Sequence, residues 1–318
     1  MPEIPDWRSG MKEVPLNIGR GFIMGSADIV PGVSGGTMAL VLGIYRRFVG
    51  SIRSGSSALG RMLRLDVRGF LAWLARVEWT LLVPLLLGIL IAVFTLAHYI
   101  EIGLAEYPEQ MAGLFTGLVA GSIVIAWGLL TERDSKRLVI MFSVGIVMYF
   151  VLGLREETSG AGQDPSAELY AFAIAGALAI CAMILPGISG SFILVLLGMY
   201  EAVLAAVNDL NWTALLALVI GATIGLALFS QVLHWALENF YNSVMAALIG
   251  LMLGSVRVLW PWPDGVASTL MEAPADDAPV LAPILLMVVG FVLVLGITEL
   301  SKYLERRTKP DEVSDLQA

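Results

Sequence analysis

Two stretches of the chain place small polar residues directly after a Pro-Gly pair. The first reads Val30-Pro31-Gly32-Val33-Ser34-Gly35-Gly36-Thr37 and the second Leu185-Pro186-Gly187-Ile188-Ser189-Gly190-Ser191. Pro31 and Pro186 each end an incoming helix, because proline lacks an amide donor and clashes with the preceding turn. Gly32 and Gly187 permit the sharp change of direction. A second half-helix starts near Val33 or Ile188, and its first amides have no partner within the helix. Ser34, Gly35, Gly36 and Thr37 line that end in one stretch, and Ser189, Gly190 and Ser191 in the other. Unpaired amides, a positive dipole end, hydroxyls and no bulky side chains make a site for an anion, most naturally phosphate. The plainer alternative is a pair of kinks whose small residues allow close helix packing.

The two stretches are one unit repeated. Leu42-Gly43-Ile44-Tyr45 and Leu197-Gly198-Met199-Tyr200 continue the match at the same spacing of 155. Gly117 to Ser122 matches Gly250 to Ser255 at a spacing of 133. The difference, 22 residues, is close to the length of a basic segment, 53–77, that only the first copy carries. Each unit is one broken region plus three spans, an odd number of crossings, so the second lies inverted in the membrane. Inverted repeats with broken helices at their interface are the build of secondary transporters.

The elements that must hold these tips are membrane spans. Of 318 residues, 58% are apolar and 14% charged; with 33 glycines added the apolar share is about 68%, against roughly 45–50% for a soluble domain. Mean hydropathy is +0.82. These values predict an all-α polytopic membrane protein and exclude a soluble enzyme, a disordered chain and a disulfide scaffold. The net charge of −8 argues against a nucleic-acid partner, and one cysteine, Cys181, forms no internal disulfide. Full spans are expected at 79–100, 111–130, 138–154, 212–238, 243–260 and 280–300. The broken regions, 16–46 and 170–207, are expected to be re-entrant hairpins entering from opposite faces. The arms of the first, about 20 Å long, are too short to cross. Repeat 1 then covers 16–154, an acidic outer linker 155–168, repeat 2 169–300, with cytoplasmic segments 1–15 and 301–318. The N-terminus lacks the basic start of a signal peptide. Seventeen of the 19 basic residues fall in segments 1–20, 46–78, 131–137 and 301–309, which places both termini in the cytoplasm. Residues 53–77 interleave five arginines with leucines and aromatics and read as an amphipathic helix on the inner leaflet.

Ionisable residues at membrane depth are few, so each is informative. Asp28 lies three residues before Pro31, and its counterpart is Met183. It is read either as a proton or Na⁺ site, or an orienter of the tip amides, or as a carboxylate capping the loop. Arg20, Arg46 and Arg47 flank the first hairpin, as headgroup attractors or interfacial anchors. Arg257 lies in an outer half-span, Glu201 follows Tyr200, and Tyr45 and Tyr200 are candidates to face lipid at a side opening. His234 and Glu238, four apart, are placed to pair. Two histidines and one cysteine make neither a metal site nor a nucleophile–base pair, and no nucleotide-binding loop is present, so an enzyme is not expected.

Met24-Gly25-Ser26-Ala27-Asp28-Ile29-Val30-Pro31-Gly32-Val33-Ser34-Gly35-Gly36-Thr37 and Met183-Ile184-Leu185-Pro186-Gly187-Ile188-Ser189-Gly190-Ser191 resemble the two signatures of the polyprenyl-phosphate transporter family. The resemblance spans 16–300. It implies a bacterial or archaeal cytoplasmic-membrane translocase that returns undecaprenyl phosphate from the outer to the inner leaflet, for reuse in peptidoglycan and surface-polymer synthesis. Its partners would be that lipid and the bilayer, with a homo-oligomer left open, and its cofactors none beyond coupling to H⁺ or Na⁺. The competing expectation is an ion-coupled transporter or channel for a small soluble anion. The basic segment 53–77 and the acidic, Pro-rich loop 261–279 depart from the family's core as elaborations.

Overall fold

A computed structural model describes residues 13–28, 34–158, 168–268, 270–276 and 278–308. The first hairpin's break, Pro31 and Gly32, lies outside the described residues, as do the ends of the chain, most of the outer linker and the side chains of Glu201 and Arg155. Among the described residues there are thirteen α-helices and no strand. In order they are α1 (Val14–Asp28), α2 (Gly35–Val41), α3 (Tyr45–Leu63), α4 (Val67–Leu74), α5 (Trp79–Glu106), α6 (Pro108–Leu129) and α7 (Ser135–Thr158). Then follow α8 (Leu169–Ile184), α9 (Gly190–Leu196), α10 (Tyr200–Asn208), α11 (Trp212–Asn239), α12 (Tyr241–Leu259) and α13 (Leu281–Thr308). Six of them, α5, α6, α7, α11, α12 and α13, are long and apolar enough to cross a bilayer.

The broken regions depart from expectation in one respect. Each return arm is a seven-residue helix, α2 or α9, about 10 Å long. It stops at the Leu-Gly-x-Tyr match because that sequence is a helix C-cap. Gly43 (φ +73°) and Gly198 (φ +66°) take the left-handed conformation. Gly43 N donates to Leu40 O and Ile44 N to Ala39 O; Gly198 N and Met199 N donate likewise to Val195 O and Leu194 O. This is the double-bonded glycine stop, and Tyr45 or Tyr200 then opens a new helix. The basic segment accordingly begins earlier than expected and forms two helices, α3 and α4.

Packing rests on glycines set against carbonyls. α1 packs along α5, α8 along α11, α6 along α13 and α7 along α12. Gly21 lies on Leu85 and Gly25 on Ile89, so α1 and α5 run in the same direction. Gly221 and Gly225 on Ala173 and Ala177 give the same result for α8 and α11. Gly113, Gly117 and Gly121 meet Pro283, Met287 and Phe291, while Gly250 and Gly254 meet Met141 and Gly145. A side chain at these positions would hold the backbones apart. Both first arms end half-way along their partners. Gly25, near the end of α1, touches Ile89 and Ala92 within the 28-residue α5. Cys181, near the end of α8, reaches Gly225 O at 3.5 Å within the 28-residue α11.

Candidate substrate site at the paired tips

The segment that follows the first break meets the second Pro-Gly tip. Ser34 Oγ donates to Met183 O at 3.0 Å. Tyr45 Oη donates to Ile184 O at 3.1 Å. Gly187 N, at φ +85°, donates to Thr37 Oγ1 at 3.0 Å. Ser34, Thr37 and Tyr45 are buried, so these are contacts between two interiors. Gly36 has no room for a side chain: a Cβ there would stand 2.5 Å from Ile184 O.

The first tip differs from expectation in its donors, which are occupied. Gly35 N donates to Asp28 Oδ1 at 2.6 Å, Gly36 N to Ser34 Oγ at 3.1 Å and Thr37 N to Ser34 O at 2.8 Å. The Asp28 carboxylate thus sits where an incoming anion was expected. The second tip is not the same. The residue over Gly190 is Met183, whose thioether side chain offers no carboxylate. Ser189 Oγ and Ser191 Oγ share a hydrogen bond of 2.7 Å, and Ser191 is exposed. An anion approaching the pair therefore meets hydroxyls at the second tip and a carboxylate at the first.

The surroundings differ as well. α9 packs against α7. In the corresponding place beside α2 there is a cavity of about 500 Å³ instead, lined by Leu40, Leu42, Gly43, Leu129, Leu295 and Thr298 among others. Its lining is mostly apolar, with Thr298 and Glu299 as the polar members.

Several flanking residues lie elsewhere than expected. Arg20 is buried, 1% exposed, and donates to Asn17 Oδ1 at 2.9 Å; Asn17 Nδ2 donates in turn to Thr80 O at 2.9 Å. It faces α5, because α1 turns Asn17, Arg20, Gly21 and Met24 inward together. Tyr45 is buried with its hydroxyl on the other tip, and so is not at a side opening; Tyr200 is 40% exposed. Arg257 lies over the Tyr149 ring at 4.6 Å and donates to Tyr149 O. Arg46 stacks on Tyr241 at 5.4 Å, and Arg47 bridges Glu13 and Glu78. His234 pairs with Glu238 at 2.9 Å. The cross-tip role of Thr37 and Tyr45 had no local signal beyond their place next to the motifs.

These tips lie within the part of the chain that a family profile matches, residues 24–276, described as undecaprenyl phosphate translocase-like. The chain belongs to that family. A polyprenyl-phosphate transporter of Vibrio cholerae is 36% identical over 270 residues, 82% of each chain. A polyprenyl-phosphate transporter of Staphylococcus aureus is 28% identical over 292 residues, 88% of this chain and 94% of the relative. No solved structure matches. In this family member the tip contacts carry a direct prediction. Thr37→Val leaves the buried Gly187 amide without its acceptor and costs about 1–3 kcal/mol, read as a lowered unfolding temperature in detergent. An unchanged temperature would show that the bond does not hold the tips.

Proposed function

We propose that this chain carries polyprenyl phosphate across the cytoplasmic membrane, from the outer to the inner leaflet, returning the lipid for reuse in surface-polymer synthesis. The observation that carries the reading is the direct meeting of the segment after the first break, Ser34 to Tyr45, with the second Pro-Gly tip, beside an apolar cavity at α2. The names of the two relatives supply the substrate class. The two helix sets are inverted repeats. α7 follows α6 through a short loop and so returns across the membrane, and α12 runs the same way as α7. The counterparts α6 and α12 therefore run oppositely. The half-length arms make the broken regions re-entrant, with tips near mid-depth, where irregular backbone is tolerated only beside a cavity or packed protein.

The phosphate binds between the tips, on Ser189, Gly190 and Ser191 and on Ser34, Gly35, Gly36 and Thr37. In the state described here the first tip is latched by Asp28 and by its bonds to Met183, Ile184 and Gly187. Binding exchanges the Asp28 carboxylate for phosphate at Gly35, a swap of one anion for another that needs little rearrangement. The prenyl tail stays on the apolar side, which suits the lining of the α2 cavity. The open α2 cavity is one of two states of an alternating-access cycle; in the other, the α9 side opens and the α2 side closes. Asp28, freed in that exchange, is the site of H⁺ or Na⁺ coupling.

The test is the purified chain in liposomes loaded with polyprenyl phosphate on one leaflet. Movement above protein-free vesicles is expected, and Ser189→Ala with Ser191→Ala reduces it about tenfold or more, since hydrogen bonds to charged groups contribute about 1.5–3 kcal/mol each. Asp28→Asn keeps equilibration but loses its response to an imposed pH or Na⁺ gradient. Movement of soluble phosphate without the lipid would overturn the lipid reading.

A further inference from the structure

α10 matches the start of α3, but the rest of α3 and all of α4 are an addition that the second helix set lacks. Between residues 45 and 79 the chain has seven arginines against two carboxylates. Its base is fixed to the bundle. α3 packs on α11, with Ser56 Oγ 3.4 Å from Ser230 Oγ, and Val49, Ser51 and Ala58 are buried. Beyond Ala58 the hairpin leaves the protein. Leu63 is 79% exposed, Leu65 88% and Val67 65%, and no residue of α4 is buried. Arg61, Arg64 and Arg68 stand exposed among these side chains. Neither Arg64 nor Arg68 is in an ion pair among the described residues.

The tip is built, not frayed. Leu65 takes φ +58°, a conformation that favours glycine, with its amide bonded to Met62 O and the next to Arg61 O. Asp66 closes the start of α4 by accepting from Gly69 N at 2.8 Å and from Arg61 at 3.0 Å. Its carboxyl is held below the ordinary range by that amide first and Arg61 second. A leucine carried at a strained, fully turned position and left exposed needs apolar surroundings that the protein does not supply. Trp73 lies between Arg53, at 6.0 Å, and Arg76, at 4.5 Å. The chain then enters α5 at Trp79, so the hairpin is tethered at the membrane surface.

We propose that this hairpin docks on anionic phospholipid headgroups of the adjoining leaflet, with Leu63, Leu65 and Val67 inserted below them and Arg61, Arg64 and Arg68 on the phosphates. A cationic ring around an apolar tip is complementary to an anionic bilayer surface, and arginine reaches phosphate while its stem stays in the apolar layer. Naming the leaflet as cytoplasmic rests on the orientation proposed above; the docking itself does not.

The single cysteine makes the test clean. In a Cys181→Ser background, Leu65→Cys is spin-labelled and the chain reconstituted in phosphatidylcholine, with or without phosphatidylglycerol. Accessibility to oxygen and to a neutral nickel chelate reads depth. With phosphatidylglycerol the label is expected to match one on lipid-facing Val83→Cys: open to oxygen, shielded from nickel. Each arginine near an anionic surface is worth about fivefold in partitioning, so Arg64→Gln with Arg68→Gln lowers the inserted-to-free ratio about 25-fold. A label as open to nickel as one at Asp134→Cys, in the α6–α7 loop, overturns the proposal. So does a label shielded from both reagents, which marks a protein contact. No transport is measured, so the outcome is independent of the fate of the substrate reading.

Discussion

Gly36→Val abolishes transport and lowers stability by about 3 kcal/mol. The magnitude is that of overpacking a filled interior, and the geometry leaves no cheaper response. The new Cβ stands 2.5 Å from Ile184 O, 3.1 Å from Ile184 C and 3.2 Å from Ser34 Oγ. Ile184 O already accepts from Tyr45, and Ser34 Oγ already bonds Met183 O. Neither can withdraw without breaking a cross-tip bond. The tips must separate, and the latched state loses its population relative to others. Gly36→Ala acts in the same direction with a smaller effect. Gly43→Ala is the control: it also strains the backbone, at φ +73°, yet a Cβ there meets nothing within 4 Å. It costs about 1 kcal/mol and leaves transport intact. Reconstituted transport and unfolding temperature, measured on all three, decide the matter; full transport by the valine variant would remove the tips from the mechanism.

The repeat was readable because its matches sit where the backbone leaves little choice. Proline at a helix end, glycine in a left-handed cap and glycine against a carbonyl each restrict a position to one or two residue types. Span number was readable from apolar length alone. What could not be read was which groups face one another. Nothing local distinguishes Thr37, whose hydroxyl accepts from Gly187, from a residue meeting solvent, and nothing places Tyr45 on Ile184 O. Arg20 was read as a headgroup attractor or an interfacial anchor from its place at the start of the first hairpin. Its inward face follows only from the register of α1 on α5. The break of symmetry at Asp28 and Met183 was visible, and with it Asp28 as a carboxylate on the tip amides; the thioether over Gly190 was not. The carboxylate takes the Gly35 amide at one tip, and a thioether covers Gly190 at the other.

Gly88→Leu and Gly221→Leu fail to the same degree although they lie 133 residues apart. A Cβ on Gly88 lands on Ile18 O, and a Cβ on Gly221 on Ala173 O. Ile18 and Ala173 are themselves counterparts, 155 apart. Each substitution therefore drives a long span from the first arm of its own hairpin, α5 from α1 or α11 from α8. The obstacle is backbone, which cannot rotate away as a side chain could. The leucine's branch adds further volume in a region already filled, so each change costs about 3 kcal/mol or more. Because α1 leads to the first tip and α8 to the second, either loss also misplaces one tip against the other. Gly128→Ala supplies the contrast, since nothing stands within 4 Å of a Cβ there; it gains about 1 kcal/mol from helix propensity. Thermal unfolding in detergent gives all three values. A tolerated leucine at one site with loss at the other would mean that the two helix pairs do not share one packing rule, and the repeat would then hold for sequence but not for energy.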